Sequence, residues 1–214
     1  MTGGMKTFPG AGLAALLFAL AACTAPGTGP GEAVPQVDGW RSVATEADRA
    51  RLRDWRDAWL KALKQARGAG HRSEIAAEGV LLQPDAALDS AAPAAGDYRC
   101  RTIKIGAKSE GLLEYIAYPA FKCRIGAGDG ARDFAKLTGS QRPIGRLFPE
   151  NERRMIFLGT LQLGDEAGTL RYGHDAERAM AGILERVGER RWRLVFPSPH
   201  YESLIDVIEL IPEG

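Results

Sequence analysis

The stretch "RWRLVFPSPHYESLIDVIELI", Arg191 to Ile211, decides the fold. It opens in alternation. Trp192, Leu194 and Phe196 share one face of an extended chain, because successive side chains in a strand point to opposite sides. After the break at Pro197 and Pro199 the second half has no polar face. Leu204, Ile208 and Leu210 fall on one side, and Ile205, Val207 and Ile211 on the other. Two short apolar runs separated by turn residues read as consecutive strands. A strand that is apolar on both sides needs a cover on each.

The same texture recurs roughly every ten residues back to Tyr98. The segments are "YRCRTIKI", "YIAYPAFKCRI", "RDFAKLT", "PIGRLF", "RMIFLGTLQL", "TLRYG" and "RAMAGILERV", with "RWRLVFP" and "LIDVIELI" completing the run. The turns "GAGDG", "TGSQ", "GDEAG" and "VGER" separate several of them. So many hairpin-linked strands predict an antiparallel meander of eight or nine strands. Its edges would be exposed unless the sheet closed. The expected fold is therefore mainly β with an N-terminal helix (α+β), the strands of residues 98–214 forming a small closed barrel. An α+β sheet with one covered face is the alternative. In "AFKCRI", Phe121, Cys123 and Ile125 share a face opposite Lys122 and Arg124, which puts Cys123 on the buried side.

The cover is expected from residues 40–97. Thr45, with Asp48 three residues on, resembles a helix cap. Leu52, Trp55, Trp59, Leu63 and Ala66 then recur at three- and four-residue spacing, one apolar stripe ending near Arg67 before Gly68 and Gly70. A shorter helical piece over Ser73 to Glu78 and a loop follow. The stripe needs a partner, and the doubly apolar last strand offers one. Arg41 to Arg72 carries nine Lys/Arg against four Asp/Glu. A basic helix of this kind can adsorb to an anionic leaflet, but two tryptophans on the stripe favour docking on protein.

The first 39 residues have a different character. Lys6 precedes an apolar run, Ala11 to Ala22, that is shorter than the roughly 20 residues a membrane span needs. Residues 1–22 read as a secretory signal. Leu20-Ala21-Ala22-Cys23 resembles the bacterial lipobox, in which cleavage precedes the cysteine and its thiol is acylated. With about 0.8 kcal/mol per buried CH₂, two or three acyl chains at Cys23 would anchor the chain stably. Thr24, where an Asp resembles an inner-membrane retention signal, leans toward the outer membrane. Residues 23–39, rich in Pro and Gly and nearly uncharged, read as a tether.

Export changes the meaning of the other cysteines. Cys100 and Cys123 remain once Cys23 is assigned to lipid, and an even remainder in an oxidising compartment reads as one disulfide. Free thiols or zinc ligation are the alternatives, and the absence of C-x-x-C weakens the metal reading. Without Lys6 the mature chain has 27 basic and 27 acidic side chains. Nothing in that balance points to bulk nucleic-acid binding.

No motif predicts catalysis, a cofactor or a metal. Gly126 to Ala131 matches a G-x-G-x-x-A fingerprint, but a phosphate-binding fingerprint needs a helix next, and "RDFAKLTG" is strand-like and short, so a hairpin turn is expected. Ser203, His200, Glu202 and Asp206 lie close in sequence without a G-x-S-x-G elbow, and are expected to be solvated loop residues. His71, His174 and His200 have no metal-ligand spacing. "YGHDAER", Tyr172 to Arg178, is a polar cluster suited to a ligand or, more simply, to a turn or cap.

"GDYRCRTIKIGA", "FAKLTGSQRPIGRLFPEN", "FLGTL", "YGHDAERAMAGILER" and "RWRLVFPSPHYESLIDVIELIP" together resemble the domain of unknown function 4893 family, over Trp40 to Pro212. The resemblance implies an exported, often lipid-anchored bacterial envelope domain and supplies no active-site residues. The functional expectation is a non-enzymatic module facing the periplasm, anchored through its acyl chains, that binds a small apolar ligand or supports the envelope. A partner-binding protein such as a protease inhibitor is the alternative, and a hydrolase the third.

Overall fold

Eight antiparallel strands run in sequence order and close on themselves, β1 pairing with both β2 and β8. They are β1 Gly96–Ala107, β2 Tyr115–Ile125, β3 Arg132–Lys136, β4 Gln141–Asn151, β5 Arg154–Leu163, β6 Ala179–Gly188, β7 Arg191–Pro197 and β8 Ser203–Pro212. The computed structural model describes residues 1–4, 39–128, 130–168 and 170–214. The chain divides into two compact units, Met1–Pro35 and Gln36–Gly214. In the first, the described residues 1–4 have no regular secondary structure; the second carries the barrel. The signal, Cys23 and nearly all of the tether lie outside the described residues.

The expected barrel is present with eight strands. "TLRYG" is the segment that does not join it. Its described residues, Leu170 to Gly173, form part of the long β5–β6 connection.

Two apolar layers hold the fold, one on each side of the barrel wall. Inside, Phe134, Phe157 and Phe196 meet edge to face, with centroids 5.7 and 5.4 Å apart. Such contacts let three rings fill the middle of an eight-strand interior. Glycine makes the space: a Cβ at Gly159 would stand 2.5 Å from the Phe157 ring. Below them Tyr98 and Trp192 pack with the Cys100–Cys123 disulfide, and the loop before β1 plugs this end, Trp192 Nε1 donating to the Ala91 carbonyl.

Outside, four short helices cover half of the wall: α1 Trp40–Val43, α2 Glu46–Arg53, α3 Trp55–Gly68 and α4 Arg72–Ala77, followed by a 3-10 turn, Gly79–Leu82. This is why β6, β7 and β8 are buried on both faces while β2 is not. Trp55, Trp59 and Leu63 share one buried cluster with Ile205 and Val207, and α3 lies against β8, as the stripe and the last strand required. The single helix expected over Thr45 to Arg67 is broken, because Asp54 leaves helical geometry at φ −91°, ψ 9°. The break lets α2 follow β6 while α3 crosses β1, β7 and β8. Leu204 also departs from expectation. It sits against Gly106 and Ala62 rather than with Ile208 and Leu210. Gly106 has φ +72°, and a Cβ there would lie 3.1 Å from the Ala62 Cα, so glycine and alanine together let α3 approach the wall. Among the described residues no helix is long and apolar enough to cross a membrane.

Candidate functional site: a charged chamber at the barrel mouth

The interior changes chemistry toward the end of the barrel where β1 finishes and β8 begins. Parity explains which side chains arrive there. On β1, Thr102 and Lys104 continue the inward face of Tyr98 and Cys100. On β3, Lys136 continues that of Phe134, and on β8, Asp206 continues that of Ile208 and Leu210. A cavity of about 210 Å³ remains above the aromatic core, walled by Phe121, Leu161, Met180 and Phe196 and floored by these polar groups.

A bulge completes the wall. Arg101 pairs with Ala120 and Ile103 with Ala117, so Tyr118 and Pro119 together oppose Thr102. Pro119 has no N–H to give a ladder, which suits it to a bulge. The extra residue reverses the parity of β2, and Tyr118 joins Phe121 at the chamber although the two differ by an odd number of residues.

The chamber holds two buried lysines in different states. The Lys104 ammonium lies 2.8 Å from Glu202 Oε2 and 3.4 Å from Asp206 Oδ2, and donates to Gln141 Oε1 at 3.0 Å. An ammonium has three donors, so Lys104 is saturated. Burial pulls its pKa down, but Asp206 and Glu202 outweigh burial and hold it above the ordinary lysine value. Lys136 is 4 % exposed. Its Nζ donates to the Gln141 carbonyl at 2.8 Å and stands 3.7 Å over the Phe121 ring. Among the described residues it has no carboxylate partner. Burial, with Lys104 and Arg142 nearby, lowers its pKa to about 8. The Thr102 hydroxyl, also buried in the wall, has no hydrogen-bond partner among the described residues.

Ser203 and Asp206 correct the expectation of solvated loop residues. Both are buried, and the Ser203 hydroxyl donates to Asp206 Oδ1. Burial raises the Asp206 pKa against the pull of Lys104 and Ser203. Glu202 is half in the turn, at φ +56°, and Ser198 lies at φ +48°. Two non-glycine residues in the left-handed region cost of order 1–3 kcal/mol each. At this turn the geometry aims Glu202 back over Lys104. His200 lines the same mouth, but its Nδ1 is 4.0 Å from Glu177 and makes no bond to Ser203 or Asp206. A serine donating to a lysine-paired aspartate, with no histidine between, lacks the relay of a serine hydrolase.

The remaining candidates are dispersed. Cys100 and Cys123 form the disulfide. Gly126 to Ala131 links β2 to β3, and the element that follows is a strand rather than a phosphate-binding helix. His71 stacks on Tyr115 at 5.6 Å, far along the chain from the turn that holds His174. The described residues contain no group of three or more His, Cys, Asp or Glu placed to hold a metal. "YGHDAER" is a turn with one long-range task. Tyr172 Oη donates to Asp48 Oδ2 at 2.5 Å and accepts from the Thr45 N–H at 3.1 Å, latching α2 to the barrel. A larger concavity, about 660 Å³, is an open groove outside β3–β5, and its charged residues are at the surface.

The sequence carried one overlooked signal for the chamber. In β1, β3 and β8 a charged residue occupies the parity of the inward, apolar face. Local reading treats such a residue as an interruption, whereas three on strands around one end of the barrel mark one polar layer.

The family described as Domain of unknown function (DUF4893) matches residues 40–210, most of the chain, and the chain belongs to it. No curated protein and no solved structure matches it.

Proposed function

We propose that this member of the family is a lipid-anchored binding protein of the bacterial envelope, without catalytic activity, that takes a small ligand into the mouth of its barrel. The observation that carries the reading is the chamber. Apolar walls above a few convergent polar groups are the usual makeup of a small-molecule site, and Lys136 is buried there with hydrogen-bonding capacity to spare. Cys23 supplies the anchor, facing the periplasm and favouring the outer membrane, and the tether gives the barrel a reach of about 50 Å from the membrane when extended. The Cys100–Cys123 disulfide supports an oxidising compartment.

Two experiments test this. Mass spectrometry of membrane-extracted protein is expected to show acyl mass on a first peptide starting at Cys23, and Cys23→Ser to leave the membrane fraction. Retention of Cys23→Ser in that fraction, unchanged, sinks the anchor. A fragment library of compounds below about a dozen non-hydrogen atoms is expected to shift NMR signals of Met180, Leu161 and Phe121. A library that moves none of them removes the binding function.

A further inference from the structure

The two lysines of the chamber are set apart by what already surrounds them. Lys104 has an acceptor for each of its donors and two carboxylates to balance its charge. Lys136, on β3, has one backbone carbonyl and an aromatic face. Neither cancels a positive charge. Removing an ammonium from water without a counter-charge is costly, and such groups are rarely buried without a role.

We propose that the chamber is built for the carboxylate of a small monocarboxylic acid, the carboxylate accepting from Lys136 Nζ, with the hydrocarbon part of the acid against Phe121, Leu161, Met180 and Phe196. The inference rests on the chamber's being a ligand site and adds the class of ligand.

Charge selects a monoanion. Glu202 and Asp206 both contact Lys104, and Glu177 stands at the rim, so Lys136 is the chamber's one ammonium with no carboxylate against it. Two lysines and two carboxylates leave the chamber without excess positive charge, and a doubly charged phosphate would meet repulsion from three carboxyl groups with too few donors for its oxygens. Size selects a short acid. A dry cavity of about 150 Å³ accepts benzene, so about 210 Å³ suits an acid of roughly eight to ten non-hydrogen atoms. The apolar wall excludes a second polar end, because a buried polar group without a partner is penalised. The Lys136 ammonium is also the better donor for the purpose: burial has weakened its hold on solvent, and the ring of Phe121 fixes its position.

The test uses the mature full-length protein in detergent. Hexanoate and benzoate are titrated beside hexanamide and 1-hexanol, with methyl signals of Met180 and Leu161 as the readout. Hexanoate is expected to bind roughly tenfold or more tightly than hexanamide, as for hydrogen bonds to a charged partner. Lys136→Met is expected to erase that preference while leaving 1-hexanol binding in place, and Lys136→Arg to restore part of it. Equal binding of hexanoate and hexanamide, or undiminished hexanoate binding by Lys136→Met, overturns the carboxylate assignment and leaves the ligand chamber standing. If no probe of either class moves the chamber methyls, the chamber reading falls and the inference with it.

Discussion

The Arg193 guanidinium lies 4.5 Å over the ring of Trp59 and joins the outermost helix layer to the barrel wall. It donates to the carbonyls of Val80, Leu81, Gln83 and Pro84, and to Glu185 Oε2 at 2.6 and 2.9 Å. These carbonyls cluster at the C-terminal end of the 3-10 turn and just beyond it, where a cation is favoured. One side chain thus caps the turn, balances a fully buried glutamate and supports the helix stripe.

Arg193→Lys tests this arrangement. A lysine keeps the charge but has three rotatable donors in place of a planar fork. The expected loss is about 2–4 kcal/mol in urea unfolding, because the Leu81 and Pro84 carbonyls and the buried Glu185 lose donors. Trp59→Ala is expected to lose about 3–5 kcal/mol. If Arg193→Lys unfolds at the wild-type urea midpoint, the cap contributes nothing and the helix layer is held by apolar packing alone.

The disulfide ties the first two strands across a diagonal. Cys123 pairs in register with Tyr98 and Cys100 with Phe121, and the two cysteine Cα atoms are 5.9 Å apart. Both side chains face inward, so a one-residue slip of β2 would carry Cys123 to the outside. Cys100→Ser is expected to lower stability by about 2–4 kcal/mol. Reduction of the wild-type protein should produce a loss of similar size. Peptide mapping without reductant that finds Cys100 and Cys123 as free thiols would falsify the pairing.

Lys136 makes stability and pH move together. The groups facing it are Lys104 on β1, Arg142 on β4 and Asp206 on β8, with the Phe121 ring on β2. Its folded pKa, about 8, lies below the unfolded value of 10.5. Between those values the unfolded chain holds a proton that the folded chain has released, so stability from this group rises with pH across the window and is lowest below about pH 8. Lys136→Met removes the penalty. In the absence of ligand it is expected to stabilise the protein by about 1–3 kcal/mol at pH 7, with the gain fading toward pH 10. A variant less stable than wild type at pH 7 would show that Lys136 is a structural cation.

Tyr172 gives the polar loop its measurable role. Its hydroxyl bonds both Asp48 and the Thr45 N–H, and burial with Asp48 pushes its pKa up to about 12. Tyr172→Phe is expected to cost about 1–3 kcal/mol, since buried Asp48 loses a donor. The loss should be concentrated in faster hydrogen exchange of α2 amides. Exchange that quickens equally in α2 and β7 would point to a global effect rather than a latch.

The sequence by itself determined eight of the nine expected strands ("TLRYG" proved to be part of a connection) and their antiparallel order, and it favoured closure and the docking of the tryptophan stripe. All of these follow from local periodicity and from the need to hide a doubly apolar last strand. It also paired Cys100 with Cys123, because two cysteines remain once Cys23 is read as lipid-bearing, and two cysteines have one pairing. Three features were decided only by the tertiary structure. The break at Asp54 lets α2 follow β6 while α3 crosses β1, β7 and β8. The turn at Tyr118-Pro119 reverses a parity that a regular strand would have kept. The chamber needs Lys104, Lys136 and Asp206, which lie on three strands and up to 102 residues apart. Strand alternation fixes which side of the wall a residue occupies. The height at which residues of different strands meet depends on strand tilt and the stagger of the closed sheet, which no single segment encodes.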